Sequence, residues 1–196
     1  MTEQRKPIVN IVIVALNVIW FLLLSMWGDA GDVDFAVKHG AMYANWVVEQ
    51  GKWMMLFTSM FYHFSIGHLA NNMIILFFIG NQVEQLMGHV KYLVLYFLAG
   101  LTGGICSMYH ILQTGAHTVS GGASGAVFGV IGALLWIVIR HKGRMGDITL
   151  KRMFLMLALS LYYGFSDTGI DNVAHAGGLV GGFLLSVALY RKPDRS

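Results

Sequence analysis

One cysteine, two prolines and 12% charged residues are all that a chain of 196 residues carries of those types. A single thiol, Cys106, excludes an intramolecular disulfide framework; lying in an apolar stretch, it reads as a small buried hydrophobe. Soluble domains carry about 25% charged residues, so the scarcity of charge excludes the ordinary soluble class, and disorder, collagen and coiled coil with it. What is present is apolar: 56% hydrophobic residues and a mean hydropathy of +0.63. Twenty-four glycines beside so little proline suit closely packed membrane helices, where small residues let backbones approach.

A helix spans the hydrocarbon core with roughly 20 apolar residues, and about 17 is the lower limit. Residues 8–27 form an uncharged run broken only by Asn10, Asn17 and Ser25, too long and uniform for a secretory leader. Further runs at 67–83, 90–112, 124–139, 148–165 and 173–190 make six expected spans. Cytoplasmic loops retain Lys and Arg. Eleven of the thirteen cations, from Arg5 and Lys6 through Lys91 and the group Arg140 to Arg152 to Arg195, fall on one side of that topology. Lys38 and Lys52 fall on the other, with Asp29, Asp32, Asp34, Glu49, Asp167 and Asp171. Both termini are expected in the cytoplasm, the chain in the inner membrane, and the net charge of +3 is topological, so nucleic acid is not an expected partner. The first outer connection, about 40 residues long, carries Trp46, Trp53, Met54, Met55, Phe57 and Phe61. So apolar a loop is expected to be partly helical and to lie in the membrane interface.

Polar groups inside spans are costly and so mark function. Three clusters occupy the outer starts of the second, fourth and sixth runs: His63 to Asn72, Gly121 to Gly129, and Asn172 to Gly182. All three runs cross in the same direction, so Ser124, His175, His68 and Asn72 share one depth. A hydroxyl, an imidazole and two further hydrogen-bonding groups in one layer are the inventory of a serine hydrolase. Gly125-x3-Gly129 and Gly178-x3-Gly182 give both helices small-residue faces, which allow backbone contact and bring nucleophile and base together.

At these residues the chain resembles the rhomboid family of intramembrane serine proteases. Gly122-Ala-Ser124-Gly125, Ala174-His175 with the glycines after it, and His63-x4-His68-x3-Asn72 match the family's three signatures. The resemblance implies an all-α, six-transmembrane-helix, rhomboid-like bundle with a long, partly membrane-embedded first outer loop, one domain over residues 1–196. It implies Ser124 as nucleophile and His175 as base, a dyad with no orienting carboxylate, so that Asp171 at the aqueous edge is no triad member. His68, Asn72 and the Ser124 N–H would hold the oxyanion, with Gly122 shaping the turn there and Phe128 packing under the base. No cofactor or metal is implied. Substrates would be single-span membrane proteins cut near the outer face, with the lipid bilayer as the other partner, and residues 148–165 or 166–171 would form the gate.

One departure stands out: an aromatic-Arg pair common in the family's first outer loop aligns with Met54-Met55, so altered loop anchoring is expected. Gly80-x3-Glu84-x3-Gly88 reads as structural. A zinc protease would need His-Glu-x-x-His and an aspartyl protease paired intramembrane Asp, and the sequence has neither. A transporter would place polar groups through the midplane, whereas these stop in the outer third. A catalytically inactive relative that binds membrane helices is the remaining alternative.

Overall fold

The computed structural model describes residues 6–166 and 170–192, without the side chains of 159–166. Arg5, Arg195 and Asp167, used above for orientation, lie outside the described residues.

Helix α1, Ile8–Trp27, starts after Pro7 and buries Asn10, Ile13, Asn17, Phe21 and Leu24. Their spacing of three and four places them on one face. Ile8, Val12, Ile19 and Leu22 stay exposed on the other, an apolar surface suited to lipid. The first outer connection is folded: α2 is Val33–Lys38, β1 Met42–Tyr43, α3 Ala44–Glu49 and α4 Met55–Thr58, followed by a 3-10 turn at Ser59–Phe61. Asp32 caps α2 by accepting from the Phe35 amide at 2.8 Å. Met55 is buried in an apolar cluster with Met42, Ala44, Val47, Leu56 and Ile111, while Met54 is exposed. Apolar contact thus anchors the loop where an arginine would use hydrogen bonds.

Helix α5, Ile66–Ile75, is capped by Ser65, whose hydroxyl accepts from the His68 amide. It continues through a π-helical turn, Leu76–Gly80, into α6, Asn81–Met87, and so reaches further than the expected 67–83. A π turn leaves backbone carbonyls without their usual partners. Asn10 of α1 takes that opening, donating to the Leu76 carbonyl at 2.9 Å and to Asn81 Oδ1 at 2.8 Å. A Cβ at Gly80 would occupy the Asn10 side chain's place. One turn on, fully buried Glu84 accepts the α1 amides of Val9 at 2.9 Å and Asn10 at 2.6 Å, and pairs with His89. A carboxylate from another helix thereby satisfies the opening donors of α1 and complements its dipole.

Helices α7 (His89–Thr114), α8 (Ser124–Arg140), α9 (Leu150–Ser166) and α10 (Asn172–Leu189) complete the bundle. Strand β2, Val119–Ser120, pairs antiparallel with β1, Met42 opposite Ser120, and ties the outer loop to the approach to α8. A second two-stranded ribbon, β3 (Arg144–Met145) with β4 (Ile148–Thr149), joins α8 to α9. Helix α8 is the axis of the molecule: 12 of its 17 residues are buried, and α7 and α10 pack along it. Among the described residues, three helices, α1, α7 and α10, suffice by length and composition to cross a membrane. A fourth crossing is reached if Met55–Phe61 and Ile66–Met87, bent by 89°, form one broken span; α8 is apolar but only 17 residues long.

Candidate active site

Glycine decides how closely the two site-bearing helices meet. A Cβ added to Gly178 or Gly182 of α10 would land on the backbone carbonyl of Gly125 or Gly129 of α8, and one on Gly132 would land on the Leu179 carbonyl. Helix α7 joins the same junction through Gly103, whose added Cβ would lie 2.7 Å from the Ala174 carbonyl oxygen and 3.3 Å from Gly125 Cα. The first turns of α8 and α10 are therefore in backbone contact.

Ser124 is the first residue of α8. The turn before it is held at each step: the Gly122 amide donates to the Ser59 carbonyl at 2.8 Å and the Ala123 amide to His63 Nε2 at 3.4 Å. Gly122 adopts a φ of +129°, and an added Cβ would sit 2.8 Å from Cε1 and Nε2 of His68 and 3.7 Å from Ser124 Oγ. Backbone conformation and the closeness of His68 both call for glycine there. The amides of Ser124 and its successors open the helix without intrahelical acceptors and are oriented to receive negative charge.

His63 is fully buried in the turn ahead of α5, its Nδ1 3.3 Å from the Phe61 carbonyl. Burial, and secondarily the neighbouring His68, push its pKa down to about 3. It stays neutral, carrying its proton on Nδ1 and accepting the Ala123 amide on Nε2. His68 is edge-on to His63 with ring centroids 5.1 Å apart and parallel to Phe64. Asn72 is buried one turn deeper, with its amide donating to the His68 carbonyl at 3.2 Å. The structure thus brings His68, Gly122 and Ser124 together, and engages the Asn72 amide within α5.

His175 stacks on Phe128 of α8, centroids 4.2 Å apart and planes within 10°. Its Nδ1 is buried with no hydrogen-bond partner among the described residues, and no hydrogen bond joins the ring to Ser124. Ser124 and Ala174, the neighbour of His175, line one cavity of about 30 Å³ with Ser120, Gly121, Gly122 and Asp171, enough for one or two waters. A larger opening of about 640 Å³ in the outer loop, between Lys38, Trp46, Lys52 and Trp53, is lined by neither Ser124 nor any of the clustered histidines, and its one hydroxyl, Thr58, is bonded to the Gly40 and Met54 carbonyls.

Two groups here escaped sequence reasoning. Gly100 and Gly103 of α7 complete the glycine junction, and their spacing was visible in the run at 90–112. Asp171 is the N-cap of α10, a role its place three residues before Ala174 could have indicated. Its links to Ser107 and Ser120 had no local signal.

The Rhomboid domain family model matches residues 50–192. The chain is 34% identical over 187 residues to Rhomboid protease GluP of Bacillus subtilis (strain 168), covering 95% of this chain and 36% of that protein. It is 31% identical over 148 residues to Putative rhomboid protease YdcA of the same organism, covering 76% and 73%. It is 35% identical over 154 residues to RHOMBOID-like protein 5 of Arabidopsis thaliana, covering 76% and 48%. The chain spans only about a third of GluP, and about half of the plant relative. With a matched domain that takes in α5 to α10 and the whole glycine junction, the chain belongs to the rhomboid family of multi-pass membrane proteins.

Proposed function

We propose that this chain is an intramembrane serine endopeptidase that cleaves single-span membrane proteins near the outer face of the inner membrane. The observation that supports it best is Ser124 at the start of the most buried helix, lining a cavity of about 30 Å³ beside the residue that precedes His175. In this reading Ser124 Oγ attacks the scissile carbonyl and His175, steadied by Phe128, takes the hydroxyl proton. The tetrahedral oxyanion is held by the Ser124 N–H and His68, and by Asn72 once its amide leaves the His68 carbonyl. Collapse breaks the C–N bond, and His175 returns the proton to the departing amine. A water then attacks the acyl-enzyme carbonyl, giving its proton to His175; the Ser124 Oγ–C bond breaks, His175 returns that proton to Oγ, and the new carboxyl terminus leaves.

Six spans, at 8–27, 67–83, 90–112, 124–139, 148–165 and 173–190, with both termini cytoplasmic, belong to the same reading, as does a single domain over residues 1–196. A peptide bond in a stable helix is hydrogen-bonded and shielded, so the favoured substrates have small residues beside an unstable stretch of helix. Entry requires part of the bundle to open at α9 or the connection 166–171, of which 167–169 lie outside the described residues. A fluorophosphonate probe on the purified protein tests the proposal: wild type labels and Ser124→Ala does not. Equal labelling of the two sinks it.

Two observations favour a second reading, an inactive rhomboid-like protein that binds membrane helices. Met55 stands where the family commonly has arginine, and Ser124 and His175 are not hydrogen-bonded. Catalytic hydrogen bonds are often loose before substrate arrives, and Met55 anchors its loop by burial, so neither outweighs the juxtaposition of Ser124, Gly122 and His68 beside the helix that carries His175.

A further inference from the structure

The Asp171 carboxylate holds three separate elements at once. Its Oδ1 accepts the Ala174 amide of α10 at 2.9 Å. Its Oδ2 accepts the hydroxyl of Ser120 in β2 at 2.7 Å and that of buried Ser107 in α7. The first contact fixes the opening turn of the helix that carries His175, whose own amide donates to the Asp171 carbonyl at 3.1 Å. The second fixes the strand four residues before Ser124, which the backbone then follows through Gly121 and Gly122 into the nucleophile. The third fastens both to α7, whose Gly103 lies against the Ala174 carbonyl.

We propose that Asp171 is a positioning residue that sets the separation of Ser124 and His175 by bridging the strand before the nucleophile to the cap of the helix bearing the base. The proposal rests on the protease reading above. Asp171 touches neither reacting group and acts only through these three bonds, and the geometry of the bridge matters rather than the charge. A carboxamide at the same position preserves it: the amide oxygen accepts from Ala174, and its two N–H groups donate to the hydroxyls of Ser107 and Ser120, which reverse their roles. Alanine removes every link. The small cavity shared by Ser120, Ser124, Asp171 and Ala174 is the space these bonds enclose, so loosening them alters the volume beside the nucleophile as well.

The test is the rate of fluorophosphonate labelling of Ser124 in the purified full-length protein, scaled to the folded fraction from thermal unfolding. Asp171→Ala lowers the rate per folded molecule roughly tenfold to a hundredfold, the penalty of a displacement approaching 1 Å. Asp171→Asn labels close to the wild-type rate, a rescue that separates bridge from charge. The double variant Ser107→Ala with Ser120→Ala, which keeps the α10 cap and guards against a folding defect in Asp171→Ala, also labels slowly. A Ser124-dependent rate that Asp171→Ala leaves untouched, or an Asp171→Asn rate as low as that of alanine, overturns the bridge alone. Wild type labelling no faster than Ser124→Ala overturns the protease reading beneath it.

Discussion

Replacing Gly103 with alanine adds one methyl at the point where α7, α8 and α10 meet. That carbon would lie 2.7 Å from the Ala174 carbonyl oxygen, 3.3 Å from Gly125 Cα and 3.4 Å from Gly178 N. All three are backbone atoms and none can rotate away. Ordinary contact begins at 3.4 Å, so the Ala174 peptide must retreat by about 0.7 Å. That peptide leads directly into His175, and the imidazole moves with it. Overpacking of this kind costs about 1–3 kcal/mol, less up to about 1 kcal/mol regained from the better helix propensity of alanine. A shift near 1 Å in a catalytic group costs up to about 100-fold in rate, so a loss of about tenfold or more in labelling of Ser124 is expected. The neighbouring glycine is the control. A Cβ at Gly104 meets only Leu56, at 3.5 Å from Cδ2, so Gly104→Ala is expected to keep the wild-type rate and to hold or slightly raise the melting temperature. Labelling rate and thermal midpoint are measured on both variants. Gly103→Ala reacting and melting like Gly104→Ala would refute the idea that backbone contact at this junction sets the position of His175.

Glu84→Gln places an amide N–H against one of the Val9 and Asn10 amides that the carboxylate now accepts, leaving buried donors face to face. A loss of about 1–3 kcal/mol or more is expected by thermal unfolding, with labelling per folded molecule unchanged because the network lies at the far end of α5 and α6 from Ser124. His63 makes stability pH-dependent: its folded pKa near 3 lies below the ordinary value of 6.5, so between them the unfolded chain binds a proton that the folded chain does not. Its contribution is full above about pH 6.5 and is lost as pH falls toward 3, at up to about 1.4 kcal/mol per unit. The thermal midpoint should therefore fall more steeply from pH 7 to 4 in wild type than in His63→Gln, and equal slopes would contradict the assignment.

The site-bearing elements were legible because they depend on local pattern. Ser124 at a helix start and the glycine spacings of α8 and α10 are read from residues a few positions apart, and the structure places them in contact. The stacking of Phe128 on His175 was expected from the family resemblance, and the two rings do stack. The Asp171 bridge was not, because Ser107, Ser120 and Asp171 lie 51 and 64 residues apart in pairs and meet only in the folded bundle. Nor was the π turn, which exists because Asn10 from a distant helix takes the Leu76 carbonyl. Asn72 shows the limit from the other side: helical spacing gives its face, while the partner its amide chooses is a matter of rotamer. Span count is similar, since hydropathy marks six apolar runs but α8, enclosed by protein, can be shorter than a lipid-facing helix.

The α8 and α10 interface is made by glycine backbones, and this has a consequence for disorder within the site. Ordering a long side chain on folding costs up to about 2 kcal/mol of rotamer freedom, whereas glycine has no rotamer to lose. At Gly125, Gly129, Gly178 and Gly182 the two helices therefore come together without freezing any side chain, and without any side chain able to change conformation afterwards. The separation of the backbones that carry Ser124 and His175 inherits the stiffness of the peptide chain. In the protease reading, the motion that admits a substrate is borne by other parts of the bundle.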